Sequence, residues 1–160
     1  MHQGSLDGII AVGKGIPPGK REKGGDLMTE MHASKDQLPA ETMGTYEGRM
    51  TQFGEYYVNF ESIPAGFPPG GEKAFEGLPD DACQCPHWGY VFKGKFKLRY
   101  TDGHEEIVSA GEAYYAPPGH LFEALEDTET VEFSPKEELD KTQEVIGKNI
   151  EAMMEEGSSS

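Results

Sequence analysis

The sequence predicts an all-β domain, a sheet closed into a barrel or sandwich, followed by one α-helix. Three observations predict it. The chain has 21 Gly and 11 Pro in 160 residues, which favours short strands and frequent turns over a helix bundle. Runs of β-branched and aromatic residues recur at even spacing between those turns, the pattern of a closed all-β fold. After Ser134 the apolar period becomes helical.

Each element follows in order. Tyr46 to Phe53 and Glu55 to Ile63 read as strands, with Gly54 a turn or bulge between them. Phe67-Pro68-Pro69-Gly70-Gly71 reads as a loop. Trp88 to Lys93 is a strand, and Gly94-Lys95 turns the chain into Phe96 to Thr101. Phe96, Leu98 and Tyr100 share one face there, with Lys97 and Arg99 on the other. Asp102-Gly103 signals a two-residue hairpin turn with φ > 0 at both positions. Glu105 to Ser109 returns, Gly111 turns, and Glu112 to Ala116 follows. Pro117-Pro118-Gly119 is a rigid turn before His120 to Leu125 and Thr130 to Phe133. Ser134, Pro135 and Glu137 then fit an N-cap, a first helical position and an acid three residues past the cap. Leu139, Ile146, Ile150 and Met153 form a helical stripe, packed on the barrel or on a second subunit.

This divides the chain into a leader over residues 1–27, a barrel over 28–134, a helix over 135–156 and a disordered tail over 157–160. The leader is an expression scar, an alternative start ahead of Met28, or a flexible arm; Ile9 to Val12 is its one candidate edge strand. The net charge of −15 repels phosphate backbones and anionic lipid heads, so neither nucleic acid nor membrane is expected as a partner. No apolar run is long enough to span a bilayer, and a cytoplasmic location is the default. Cys83 and Cys85, the only two cysteines, are too close to bridge without strain and suit a reducing compartment.

Chemistry concentrates at Asp80 to Tyr90. In an extended segment, Cys83, Cys85 and His87 share one face, and Trp88, Tyr90 and Phe92 point to a second apolar layer or a dimer contact. Two thiols and an imidazole on one face, completed by His120 after its rigid turn, make a metal ligand set suited to zinc or iron. Each also has a structural reading: a core histidine, or cysteine as a small hydrophobe. Asp81 reads as a solvated loop residue and His104 as an exposed hairpin residue. The tyrosines Tyr56, Tyr57, Tyr114 and Tyr115 read as half-buried strand residues.

From His87 to Gly94 the sequence resembles the first conserved motif of the cupins, small β-barrel (jelly-roll) proteins. His87 stands at the motif's glutamate, Cys83 at its second histidine and Asp81 at its first. Gly111 to His120 resembles the second motif, with Gly111, Pro117 and Gly119 at the family spacing. His120 comes two positions before the usual histidine, whose place Phe122 takes. Lys95 to Ala110 is the inter-motif stretch, and the resemblance runs from about Cys83 to Phe133. It implies a cupin-type barrel with a C-terminal helix; the usual ligand set is replaced, so it implies no particular reaction.

Three functions compete. The first is a metal-dependent enzyme, oxygenase- or isomerase-like, on a small organic molecule, with Cys83 or Cys85, His87 and His120 as ligands and Glu123 or a pocket tyrosine handling protons. The second is a non-catalytic small-molecule binder or a metal or redox sensor with a closed ligand shell. The third is a structural protein without metal. A homodimer suits all three.

Overall fold

The computed structural model describes residues 31–158. The expected leader, with its Ile9 to Val12 strand, and residues 159 and 160 lie outside the described residues.

Among the described residues, strands β1 (Glu41–Met43), β2 (Tyr46–Phe53), β3 (Tyr56–Ile63), β4 (His87–Lys93), β5 (Lys95–Tyr100), β6 (Glu105–Ser109), β7 (Ala113–Ala116), β8 (His120–Ala124) and β9 (Thr128–Pro135) precede helix α1 (Lys136–Ser158). They form two antiparallel sheets: six strands in the order β1-β2-β3-β9-β4-β7, and three in the order β6-β5-β8. The expected strands are all present, and β1 is an addition at the sheet edge. The β5–β6 turn differs from its expectation. Only Gly103 is left-handed; Tyr100 N–H donates to His104 O, and His104 N–H donates to Asp102 Oδ1. The short Asp102 side chain closes the loop, so a second left-handed residue is not needed.

The three-stranded sheet follows the usual rule of apolar inside and polar outside. Phe96 and Leu98 of β5 are almost fully buried. On its other face Lys95 pairs with Glu126, Lys97 with Glu105 and Glu123, and Arg99 with Glu72.

Across the middle of the six-stranded sheet that order is reversed. Strand β9 sends Thr128, Thr130 and Ser134 to buried positions, and Glu132 shares their parity. Its register sets Phe133 between Val58 and Trp88, and Val131 between Phe60 and Tyr90. Trp88, Tyr90, Phe92, Phe133, Tyr115 and Tyr56 are exposed.

Ser134 does not cap the helix. It is the penultimate residue of β9, and its hydroxyl is engaged inside the barrel. The chain instead enters α1 with Lys136 N–H donating to Glu55 O at 2.9 Å. Leu139 and Ile150 of α1 are buried, with Ile146 and Met153 packed beside them, against Ala74, Phe75, Tyr57, Cys83 and Cys85. Ala74 and Phe75 belong to a 3-10 helix, Gly71–Phe75, which begins where the expected Phe67-to-Gly71 loop ends. Asn149 of α1 ties it down by donating to Ala74 O and Glu76 O at 3.0 and 2.7 Å.

Candidate metal centre

The start of β4 places His87, the start of β8 places His120, and an isolated bridge places Cys83. That bridge pairs Cys83 with His120, Cys83 N–H donating to His120 O at 2.8 Å. The donor atoms of Cys83, His87 and His120 all lie within 4.8 Å of one another. All three residues are buried, at 4, 8 and 3% exposure.

Both imidazoles are oriented from behind. His120 Nδ1 lies 2.6 Å from Pro117 O. A carbonyl only accepts, so Nδ1 carries the proton and Nε2 is left as the donor atom for an ion. His87 Nδ1 lies 2.7 Å from Ser134 Oγ and 3.1 Å from Glu132 Oε1, while its Nε2 lies 3.4 Å from Cys83 Sγ. A carboxylate or carbonyl behind each ligating ring is how protein metal sites fix the tautomer. Zinc bonds of about 2.3 Å to sulfur and about 2.0 Å to nitrogen put two tetrahedral ligands about 3.5 Å apart. The residues therefore fit a sulfur- and nitrogen-binding ion.

Two polar groups lie inside the barrel beside His87, one centred on Glu132 and one on Glu61. Tyr114 donates to Glu132 Oε2 at 2.9 Å, Tyr46 donates to Glu61 Oε1 at 2.8 Å, and Thr130 donates to Glu61 Oε2 at 3.2 Å. Gly89 leaves room for the Tyr114 ring: a Cβ there would lie 2.5 Å from it. Burial opposes ionisation of Glu132, but the His87 charge and hydrogen bonds from His87 and Tyr114 outweigh it and hold the carboxyl below the usual range. Burial and the Glu132 charge push Glu61 up to about 7. Burial would lower His87, yet Glu132 and the thiols beside it raise its pKa well above the usual value. Burial would likewise raise Cys83, but hydrogen bonds from His120 and His87 bring it down to about 6. The lowered Cys83 thiol and the raised His87 imidazole both favour a thiolate beside a protonated ring, and a bound ion would displace that proton.

The other expected site residues are placed as follows. Cys85 is fully buried, with its Sγ 3.5 Å from Pro86 O, and burial pushes its thiol up. It is not in the Cys83, His87, His120 group. Glu123 does not reach the cluster: it is exposed and paired with Lys97, because it has the opposite strand parity to His120. Asp81 is an exposed turn residue whose carboxylate accepts from Gly77 N–H, and His104 is exposed at the hairpin. Phe122, at the family's histidine position, packs tilted against Phe96 in the core.

A hollow of about 530 Å³ lies between β6 and β7, lined by Leu98, Glu106, Val108, Glu112, Ala113, Tyr114 and Tyr115. Tyr114 is its link to Glu132. A second, of about 110 Å³, lies beneath Phe67 and Pro68. The Cys83, His87 and His120 side chains line neither.

Glu132, Ser134 and Glu61 were not foreseen as site residues. The signal for two of them is the polar run Thr128, Thr130, Glu132, Ser134 at every second position of one strand.

No protein-family model matches the chain, and no curated protein matches it. Solved structures of related shape include an RmlC-like cupin from Shewanella frigidimarina, 19% identical over 67% of this chain and 92% of that one, with a TM-score of 0.49. KdgF from Halomonas sp. is 18% identical over 64% and 92%, at 0.45. Ectoine synthase from P. lautus is 12% identical over 66% and 78%, at 0.48. The architecture is all-β, two antiparallel sheets followed by a C-terminal helix.

Proposed function

We propose that this cupin-type barrel is a metal-dependent enzyme of small-molecule chemistry, with Cys83, His87 and His120 holding one divalent ion, zinc or ferrous iron. The observation that carries this is the orientation of both rings: each has Nδ1 occupied by an acceptor and Nε2 left for an ion beside a thiolate. Three protein ligands leave a position for substrate, as catalytic sites do. Cys85 stays outside the shell in this reading, its thiol on Pro86 O.

A bound ion supplies Lewis acidity to a substrate oxygen. Glu132 and Ser134 hold the His87 ring. Tyr114 donates to Glu132 and lines the hollow of about 530 Å³, so Glu132 and Tyr114 are the groups that would hold and move protons. This favours isomerase-like proton transfer over oxygenation. A second reading, a metal or redox sensor, draws on the Cys83 thiol held down to about 6. The assembly that suits either is a homodimer.

The test is elemental analysis of the purified protein beside a His87→Ala/His120→Ala variant. About one equivalent of metal is expected in the parent and almost none in the variant. A folded parent that stays empty after anaerobic addition of zinc or ferrous iron overturns the metal reading. A loaded parent with no position open to exchangeable water or azide supports the sensor instead.

A further inference from the structure

Strand β6 is an edge of the small sheet and β7 an edge of the large one, and the hollow of about 530 Å³ lies between them. Leu98, Val108 and Tyr114 form its floor, and the exposed Glu106 and Glu112 stand at its rim. Glu106 is registered opposite Leu98 and shares the parity of Val108. It therefore takes an inward place, where an apolar residue is the rule. Glu112 stands two residues before Tyr114 and shares its parity. Tyr100 donates to Glu106 Oε2 at 3.0 Å, and Ser109 N–H donates to Glu112 Oε2 at 2.7 Å, so one oxygen of each carboxylate is fixed. Among the described residues neither acid has a lysine or arginine partner. Lys95, Lys97 and Arg99 of the adjacent strand pair with Glu126, Glu105, Glu123 and Glu72. Only His104, exposed at the hairpin, comes within 3.7 Å of Glu106.

We infer that this hollow is a binding site for an organic amine, a compound with an ammonium group and a small apolar body. Charge selects the head group. Two carboxylates with no lysine or arginine beside them attract a cation and repel a carboxylate or phosphate. The floor selects the body, since Leu98, Val108 and the Tyr114 ring offer it apolar surface, and a tyrosine ring also draws a cation to its face. Size separates this ligand from a bare metal ion. Small-molecule sites hold roughly 300–1,000 Å³, whereas an ion needs several converging ligands. Neither Glu106 nor Glu112 belongs to a metal-ligating group of three among the described residues. Inward acids at sheet edges also deter pairing with other chains, but that role needs no cavity behind them.

The inference does not rest on the metal reading, although Tyr114 joins the two sites. Its side chain lines the hollow, and its hydroxyl donates to Glu132, which lies 3.1 Å from His87 Nδ1. Cys83, His87 and His120 line no part of the hollow. An amine seated there meets the residue behind the ligating ring rather than the ion, so it should bind the protein with or without metal.

Isothermal titration calorimetry of the full-length protein with benzylamine, benzyl alcohol and benzoate tests this, because the three share a ring and differ in charge. Benzylamine should bind with a Kd at or below about 1 mM, and the other two at least about tenfold more weakly. Added salt should weaken benzylamine binding. A Glu106→Gln/Glu112→Gln variant should bind benzylamine about tenfold more weakly or worse. Glu137→Gln/Glu144→Gln, which removes the same charge from the exposed side of α1, should bind as the parent does. Treatment with a chelator should leave benzylamine binding unchanged, which separates this inference from the metal reading. Several results overturn it. Equal affinity for benzylamine and benzyl alcohol would mean that the hollow does not read charge. No binding of benzylamine would leave the acids as guards of the sheet edges. Full affinity in the Glu106/Glu112 variant, or loss of binding on chelation, would place the amine elsewhere. Calcium chloride that displaces benzylamine at equal ionic strength would make the rim a metal-ion site. Should the Glu106/Glu112 variant fail to fold, the three-compound series and its salt dependence on the parent decide alone.

Discussion

In the three-stranded sheet, Phe96 and Leu98 face inward and Lys95, Lys97 and Arg99 face outward in ion pairs. In the middle of the six-stranded sheet, Glu61, Thr130, Glu132, Ser134 and His87 face inward and Trp88, Tyr90 and Phe133 face outward. One sheet buys stability with its inner face; the other gives that face to hydrogen-bonded chemistry and presents aromatics outside. The difference teaches that period-two patterning locates the dry face of a strand without saying whether dry means inside.

The largest expected effect tests the conventional sheet. Phe96→Ala empties a site 1% exposed, against Tyr114 and Phe122, and should cost about 3–5 kcal/mol in urea denaturation. A loss under about 1 kcal/mol would mean that this sheet does not anchor the barrel.

On the reversed sheet, Gly89→Ala drives a methyl into the Tyr114 ring and should cost about 1–3 kcal/mol. Tyr114→Ala removes the obstacle, so in the double variant the Gly89→Ala cost should largely vanish, read as a non-additive thermodynamic cycle. Additive losses would break the link between the two residues.

Glu61→Gln sharpens the comparison through pH. The folded pKa of Glu61 lies at about 7, above its value of about 4.5 in an unfolded chain. The wild type therefore loses stability relative to the variant as pH rises from about 4.5 through about 7, and the gap is constant above that. A change on the order of 2 kcal/mol is expected, measured by denaturant midpoints at pH 5 and pH 8. A gap independent of pH would mean that Glu61 ionises as freely as in water.

Lys97→Ala, on the outer face of the conventional sheet, should change stability by less than about 1 kcal/mol, because its pairs with Glu105 and Glu123 lie in water. A larger loss in the same denaturation assay would show that the outer ion pairs hold the small sheet together.

Strands β2 to β9, the positions of their turns and the helix were legible because turn residues and β-branched or aromatic runs act locally. Cys83, His87 and His120 were legible as a group because rare ligand types cluster near turns. Ser134 was misread because Ser-Pro-Lys-Glu is a sound capping pattern; the competing pull, a histidine 47 residues away in sequence, is invisible locally. Glu123 was misread as a site acid because proximity to His120 in sequence was weighted over strand parity. Glu61 was passed over because an acid in a strand is usually placed toward water, and only the pairing of β3 with β9 brings it to Thr130.

The roof over Cys83 has a consequence for timing. Ala74, Phe75, Leu139 and Ile150 pack on that side of the cluster, and Asn149 and the Arg99–Glu72 pair fasten the roof to the helix and the small sheet. Any ion or small molecule arriving from that side must wait for those fastenings to open. Exchange from that side would run on the clock of a local unfolding event rather than of diffusion.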